Sequence, residues 1–123
     1  MTYDRKGTFV IRRHHALRAG LHDDFHLDGE SWAIPKGMPT AISQGKRLAI
    51  RTMYHSPKQA RFEGTIPKGE YGAGESEVID EGEIIIIDEY PKHYFFHLDG
   101  EVFRGNYILH HWKEDKWLLW RRP

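Results

Sequence analysis

The hexapeptide Phe-His-Leu-Asp-Gly-Glu occurs twice, at 25–30 and at 96–101, each time with Asp-Gly between strand-like flanks. Asp-Gly is a strong signal for a type I′ hairpin turn, whose two central residues both take positive φ. The two copies predict two hairpins, and Glu81-Gly82 predicts a third. They do not predict a repeat architecture, which needs more copies to bury a continuous core.

Around these turns the chain is a succession of short runs rich in β-branched or aromatic residues. They are Phe9 to Ile11, Ser31 to Ile34, Arg47 to Thr52, Glu83 to Ile87, His93 to Leu98, Asn106 to His110 and Trp117 to Trp120. No segment has a long amphipathic helical period; the best helical stretch, Ala16 to Leu21, is barely a turn and meets Gly20. The pattern predicts a mainly β fold: a single small β-barrel of short antiparallel strands with minor flanking helix. Pro35 to Lys46 and Ile66 to Glu75, rich in Gly or Pro, are the expected long loops. At 123 residues the chain is about one domain's worth, so a single domain over 1–123 is expected.

Composition narrows the function classes. Cysteine is absent, which excludes a disulfide framework and any thiolate metal site. A transition metal would have to be held by imidazole and carboxylate. Lys plus Arg balance Asp plus Glu at 18 each, so bulk charge gives no argument for nucleic acid. Positive charge nevertheless gathers in Arg5 to His15 and in the terminal Arg-Arg-Pro. No apolar run approaches the roughly 20 residues that span a bilayer, and the first residues lack a hydrophobic leader. A soluble, cytoplasmic protein without membrane association is expected.

Residues 14–27, HHALRAGLHDDFHL, hold four of the nine histidines and two adjacent aspartates. If His22 to Leu27 is a strand, alternation puts His22, Asp24 and His26 on one face, with Phe25 and Leu27 on the other. Such a polar face needs partners, and a metal would supply them, with His14 or His15 arriving from the preceding segment. Two histidines and a carboxylate suit manganese, iron, zinc or cobalt and leave positions open for water or substrate. A solvated edge strand is the plainer reading, and spacing alone leaves both standing.

Other features point less sharply. Arg47, Ala49 and Arg51 share a strand face that could grip an anion, although arginines there are ordinarily solvated. Gly-Glu-Tyr-Gly-Ala-Gly lacks the spacing and the following helix of a dinucleotide-binding loop. His110, His111, Trp112, Trp117 and Trp120 read as sheet wall, with base stacking a minor alternative.

Taken in order, RHHA, LHDDFHL, SWAIPKG, KRLAIRT, FEGTIPKGEYGAG and the closing GNYIL and WLLW resemble the 3′-phosphoesterase domain of bacterial DNA ligase D and its free-standing relatives. The resemblance runs from about Phe9 to the C-terminus, and SWAIPKG and IPKGEYGAG carry most of it. It implies a small β-barrel enzyme that uses a metal, typically manganese, with cobalt or zinc as other options. The implied substrates are 3′ ends of DNA or RNA–DNA primer-templates, from which a terminal ribonucleoside and then a 3′-phosphate are removed. A separate DNA ligase or polymerase is a further implied partner.

Carried over by position, the resemblance makes His14, His22 and Asp24 the metal ligands, with His14 favoured over His15 across a spacing stretched by two residues. It places phosphate contacts on Arg47 and His55, with protonated His55 as the candidate proton donor, and puts Lys36 near the site. With Arg51 and Gln59 these are the expected substrate contacts. Three positions depart from the family pattern: His26 replaces an arginine, Met53 a glutamate and Gln59 a tyrosine. His26 is expected to meet the same phosphate as a shorter cation that titrates near about 6.5. Two rival readings are a non-catalytic module that binds nucleic-acid ends and a cupin-type Fe(II) oxygenase with His97 as its distal ligand.

Overall fold

The structure is a computed structural model that describes residues 4–70 and 72–123. It is mainly β, as the short apolar runs predict. Nine strands form one sheet: β1 (Arg5–Ala16), β2 (Gly20–Leu27), β3 (Glu30–Ile34), β4 (Arg47–Arg51), β5 (Gly64–Ile66), β6 (Gly74–Tyr90), β7 (His93–Asp99), β8 (Arg104–Lys113) and β9 (Lys116–Arg122). All neighbours are antiparallel, in the order β1-β2-β3-β4-β9-β8-β7-β6-β5. β1 also pairs with β6, so the sheet curls until β1 and β6 meet, with β5 as a short edge beyond. Where a barrel was expected, the arrangement is this one curled sheet. Among the described residues helix is limited to α1 (Pro57–Ala60) and a 3₁₀ turn at Ile42–Gln44.

Inside the curl, residues of every strand except β5 build the core. Phe25, Phe96 and Tyr107 stack with ring centroids 5.5 and 5.8 Å apart, and Trp32 meets Trp117 edge-on at 5.5 Å. These rings are almost fully enclosed. Truncating one of the largest of them, Trp32, to alanine is worth about 3–5 kcal/mol of stability. The loop at 35–46 is pinned to this core, because Tyr107 Oη donates to Pro39 O at 2.8 Å and Asp23 Oδ2 accepts from Met38 N at 2.8 Å.

The first Asp-Gly forms the predicted tight hairpin: Asp28 and Gly29 have φ of 49° and 91° and join β2 to β3. The second does not. Asp99 pairs with Arg104, and residues 100–103 make a longer connection. The carboxylate of Asp80 accepts from the backbone N–H of Glu81, Glu101, Val102 and Phe103 at 2.8–3.1 Å, and so sets that turn in place of Gly100. Glu81-Gly82 is no turn either. β6 runs straight through it, pairing with β1 and then β7; the register jumps from Ile11–Asp80 to Arg12–Val78 and leaves Ile79 as an extra residue. Ala16 to Leu21, the best helical stretch in the sequence, is the hairpin between β1 and β2.

Candidate metal centre

The β1–β2 hairpin places the polar cluster. Phe9 and Ile11 of β1 and Phe25 and Leu27 of β2 face the core, so alternation turns Val10, Arg12 and His14, with His22, Asp24 and His26, to the outer face. Register then sets His14 opposite His22, Arg12 opposite Asp24 and Val10 opposite His26. His26 in turn lies opposite Ser31 of β3. Residues 52–70 and 72–73 fold back over this face, tied down by Thr52 N to Ser31 O, His55 N to Gly29 O and Leu17 N to Ala73 O at 2.8–2.9 Å.

His14, His22 and Asp24 offer ligand atoms that all lie within 4.8 Å of one another. Asp24 Oδ2 is 3.3 Å from His14 Nδ1 and Asp24 Oδ1 is 3.2 Å from His22 Nε2, with the three side chains 7–13% exposed. The outer nitrogen of each ring is held by a carbonyl. His14 Nε2 donates to Gly72 O at 2.6 Å, and His22 Nδ1 donates to Gly20 O at 3.1 Å. A neutral ring fixed in this way aims a lone pair at the carboxylate, which also has only lone pairs to offer. Two imidazoliums, or one cation among the three groups, would resolve the conflict. Carbonyl-anchored histidines beside a carboxylate are the usual surroundings of a bound metal, so the residues present fit one.

Charge follows the same geometry. Burial opposes ionisation of Asp24, but His14 and His22, which donate to it once their rings are protonated, together with Arg12, outweigh that and hold the carboxyl well below its usual range. The hydrogen bond to Asp24 raises the pKa of His22.

A second group adjoins the triad. Arg12 Nε donates to His26 Nε2 at 3.2 Å, His26 Nδ1 bonds Ser31 Oγ at 2.7 Å, and Ser31 Oγ bonds His55 Nδ1 at 2.9 Å. Because arginine can only donate, neutral His26 carries its proton on Nδ1. A cleft of about 250 Å³ opens beside it, lined by Thr8, Val10, His26, Gly29, Tyr54 and Arg61 among others.

Comparison with known proteins decides the family. The model of the DNA Ligase D 3′-phosphoesterase domain matches residues 12–111. The chain belongs to that family. It is 40% identical to the multifunctional non-homologous end joining protein LigD of Mycobacterium bovis over 122 residues, covering 93% of this chain and 16% of that protein. Identity to the Pseudomonas aeruginosa LigD is 41% over 111 residues, covering 82% of this chain and 13% of that protein. The Mycolicibacterium smegmatis LigD is 36% identical over 128 residues.

Within this 3′-phosphoesterase fold the predicted site residues divide. His14, His22 and Asp24 converge; His15, on the opposite side of β1 from His14, is exposed. His26 and His55 lie together, with ring centroids 4.9 Å apart, but not as the sequence suggests. His26 is 2% exposed, both its ring nitrogens are bonded, and burial together with Arg12 lowers its pKa to about 3. With Arg12 Nε donating to its Nε2 the ring is neutral in this arrangement, whereas the sequence suggested a phosphate-binding cation. Burial, then the charge of Arg12, lowers the pKa of His55 in the free protein.

Arg47 is turned to the loop at 35–46, where its Nη1 donates to the carbonyls of Lys36 and Gly37 at 2.6 and 2.9 Å. Lys36 is exposed. Arg51 pairs with Glu30 and covers Trp32. Gln59 Oε1 accepts from Ser56 N at 2.9 Å at the start of α1. His97 bonds Asn106 on the neighbouring strand at 2.9 Å, so no contact brings it to the triad as an oxygenase ligand.

Sequence reading passed over Arg12 and Ser31. The signal for Arg12 lies in the hairpin, since Ala16 pairs with Gly20 and counting outward from Arg18 pairs position 12 with position 24.

Proposed function

We propose that this chain is a metal-dependent 3′-end-healing phosphoesterase. It removes a 3′-terminal ribonucleoside from a primer-template, then the remaining 3′-phosphate, and leaves a 3′-hydroxyl fit for ligation in DNA repair. The observation that carries this reading is the triad of His14, His22 and Asp24, with both imidazoles locked by carbonyls, adjoining the Arg12–His26–Ser31–His55 chain. Family membership supports the class of reaction.

Manganese is the metal we favour, with cobalt or zinc also suited to two imidazoles and a carboxylate. When bound, such an ion neutralises a phosphate oxygen and acidifies water. His14, His22 and Asp24 would hold it. His55, reached through Ser31, would hydrogen-bond the phosphoryl group, and the cleft beside His26 has room for the terminal nucleoside. Arg47, Lys36, Arg51 and Gln59 would act farther out, on the strand leading to the scissile bond. The substrates would be DNA or RNA–DNA 3′ ends in the cytoplasm, and a separate ligase or polymerase would take over the healed end.

The test is a 5′-labelled primer-template ending in one ribonucleotide or in a 3′-phosphate. It is incubated with EDTA, manganese, magnesium or zinc, and the products are resolved at single-nucleotide length. The expected products are a shortened strand with a 3′-phosphate, followed by a 3′-hydroxyl, both absent in EDTA. Tight binding with unchanged ends under every metal would identify an end-binding module and overturn the enzymatic reading.

A further inference from the structure

Arg12 is a buried cation without a full set of acceptors. It is 6% exposed, yet its one hydrogen bond is from Nε to His26; Nη2 stands 3.9 Å from Asp24 Oδ2, beyond hydrogen-bond range. Guanidinium has five N–H donors, so both terminal nitrogens are left without hydrogen bonds among the described residues. Arg13, the next residue, shows the contrast: its fork meets both oxygens of Asp23 at 3.0 and 3.3 Å. Asp24 cannot serve Arg12 in that way, because its two oxygens face His14 and His22.

A buried charge persists only where something compensates it. The countercharge nearest Arg12 is the Asp24 carboxylate, 3.9 Å away and shared with His14 and His22, which leaves a shortfall of acceptors at the terminal nitrogens. A metal at the triad would deepen it, since a dication and a guanidinium around one carboxylate repel each other until an anion lies between them. A tetrahedral phosphoryl group supplies that anion, and a planar fork binds it with two parallel hydrogen bonds.

We propose that Arg12 is the phosphate-gripping residue of this site, its terminal nitrogens binding non-bridging oxygens of the 3′-phosphoryl group beside the metal triad. This rests on the end-healing function proposed above. His26 is then a positioning residue, whose Nε2 fixes the plane of the fork by accepting from Arg12 Nε. On one face of the hairpin, Arg12 of β1 and His26 of β2 are diagonal neighbours.

The test pairs Arg12→Gln with the exchange Arg12→Gln/His26→Arg. Binding of a primer-template ending in 3′-phosphate is compared with the same duplex ending in 3′-hydroxyl, in EDTA, by fluorescence anisotropy. Wild type is expected to prefer the phosphate end by about 10- to 100-fold, the range of hydrogen bonds to a charged group. Arg12→Gln should erase the preference and reduce manganese-supported turnover about 100-fold or more, with manganese affinity by calorimetry unchanged. The exchange variant should recover most of both. If wild type shows neither preference nor turnover, the end-healing function fails. If wild type shows them and Arg12→Gln retains them, only the assignment of Arg12 falls. If Arg12→Gln unfolds or loses manganese, and the exchange variant restores folding without phosphate preference, Arg12 belongs to the frame and the assignment also falls.

Discussion

His14 and His15 are adjacent in sequence and lie on opposite sides of β1, so one faces Asp24 and the other faces water. His14→Ala is expected to weaken manganese binding at least about 100-fold, while His15→Ala leaves it unchanged, as titration calorimetry would read. Equal losses would mean that the ligand is misassigned. Gly72 extends the argument to the residue that orients the ligand. Its φ is +74° and a Cβ there would stand 3.2 Å from His14 Cε1, so Gly72→Ala strains the loop and pushes the ring. Manganese affinity should fall about tenfold, the scale of a lost orienting contact. That His22 and Asp24 share a face was legible in the sequence, because they are two apart on a strand that its turn announces; His14 as the third member came from the resemblance. The state of His26 was not legible, because it depends on Arg12, and Arg12 meets it only across the β1–β2 register.

At the scale of elements, strand content was legible and two of the three predicted turns were not. The sequence Glu-Val-Ile-Asp-Glu-Gly-Glu reads as a turn, but β1 offers partners along nearly all of β6, and the extra residue Ile79 absorbs the break in alternation. Asp80, next to that irregularity, then organises the β7–β8 connection with four backbone hydrogen bonds. Asp80→Ala should strand those donors and destabilise the protein by about 3 kcal/mol or more in urea unfolding. A second element-level expectation concerns β7 and β8, where His93 Nδ1 lies 2.8 Å from His110 Nδ1. Partial burial, then the proximity of His110, lowers the pKa of His93 below its ordinary 6.5. The unfolded chain therefore binds this proton more readily, and the pair's contribution to stability is full above about 6.5 and declines as pH falls towards the folded value. In an NMR titration His93 should titrate below 6.5 in wild type and move upward in His110→Gln; no movement would separate the two rings electrostatically.

For the whole molecule, the chain spans a sixth or less of the length of the LigD proteins it matches, 16% and 13% in two of them, yet it supplies every member of the candidate metal triad from one hairpin. The residues of that hairpin also hold the curl together, since β1 is bonded along its length to β2 on one side and β6 on the other. An amide flanked on both sides by strands exchanges with deuterium only when the surrounding unit opens. The backbone at Arg12 and His14 is therefore expected among the slowest to exchange, and the covering residues 52–70 and 72–73 among the fastest, in the metal-free protein as in the loaded one. Fast exchange at Arg12 and His14 without metal would mean that the ion builds the site. Slow exchange would mean that the ion enters a site already built, so that metal can leave and return without any part of the sheet unfolding.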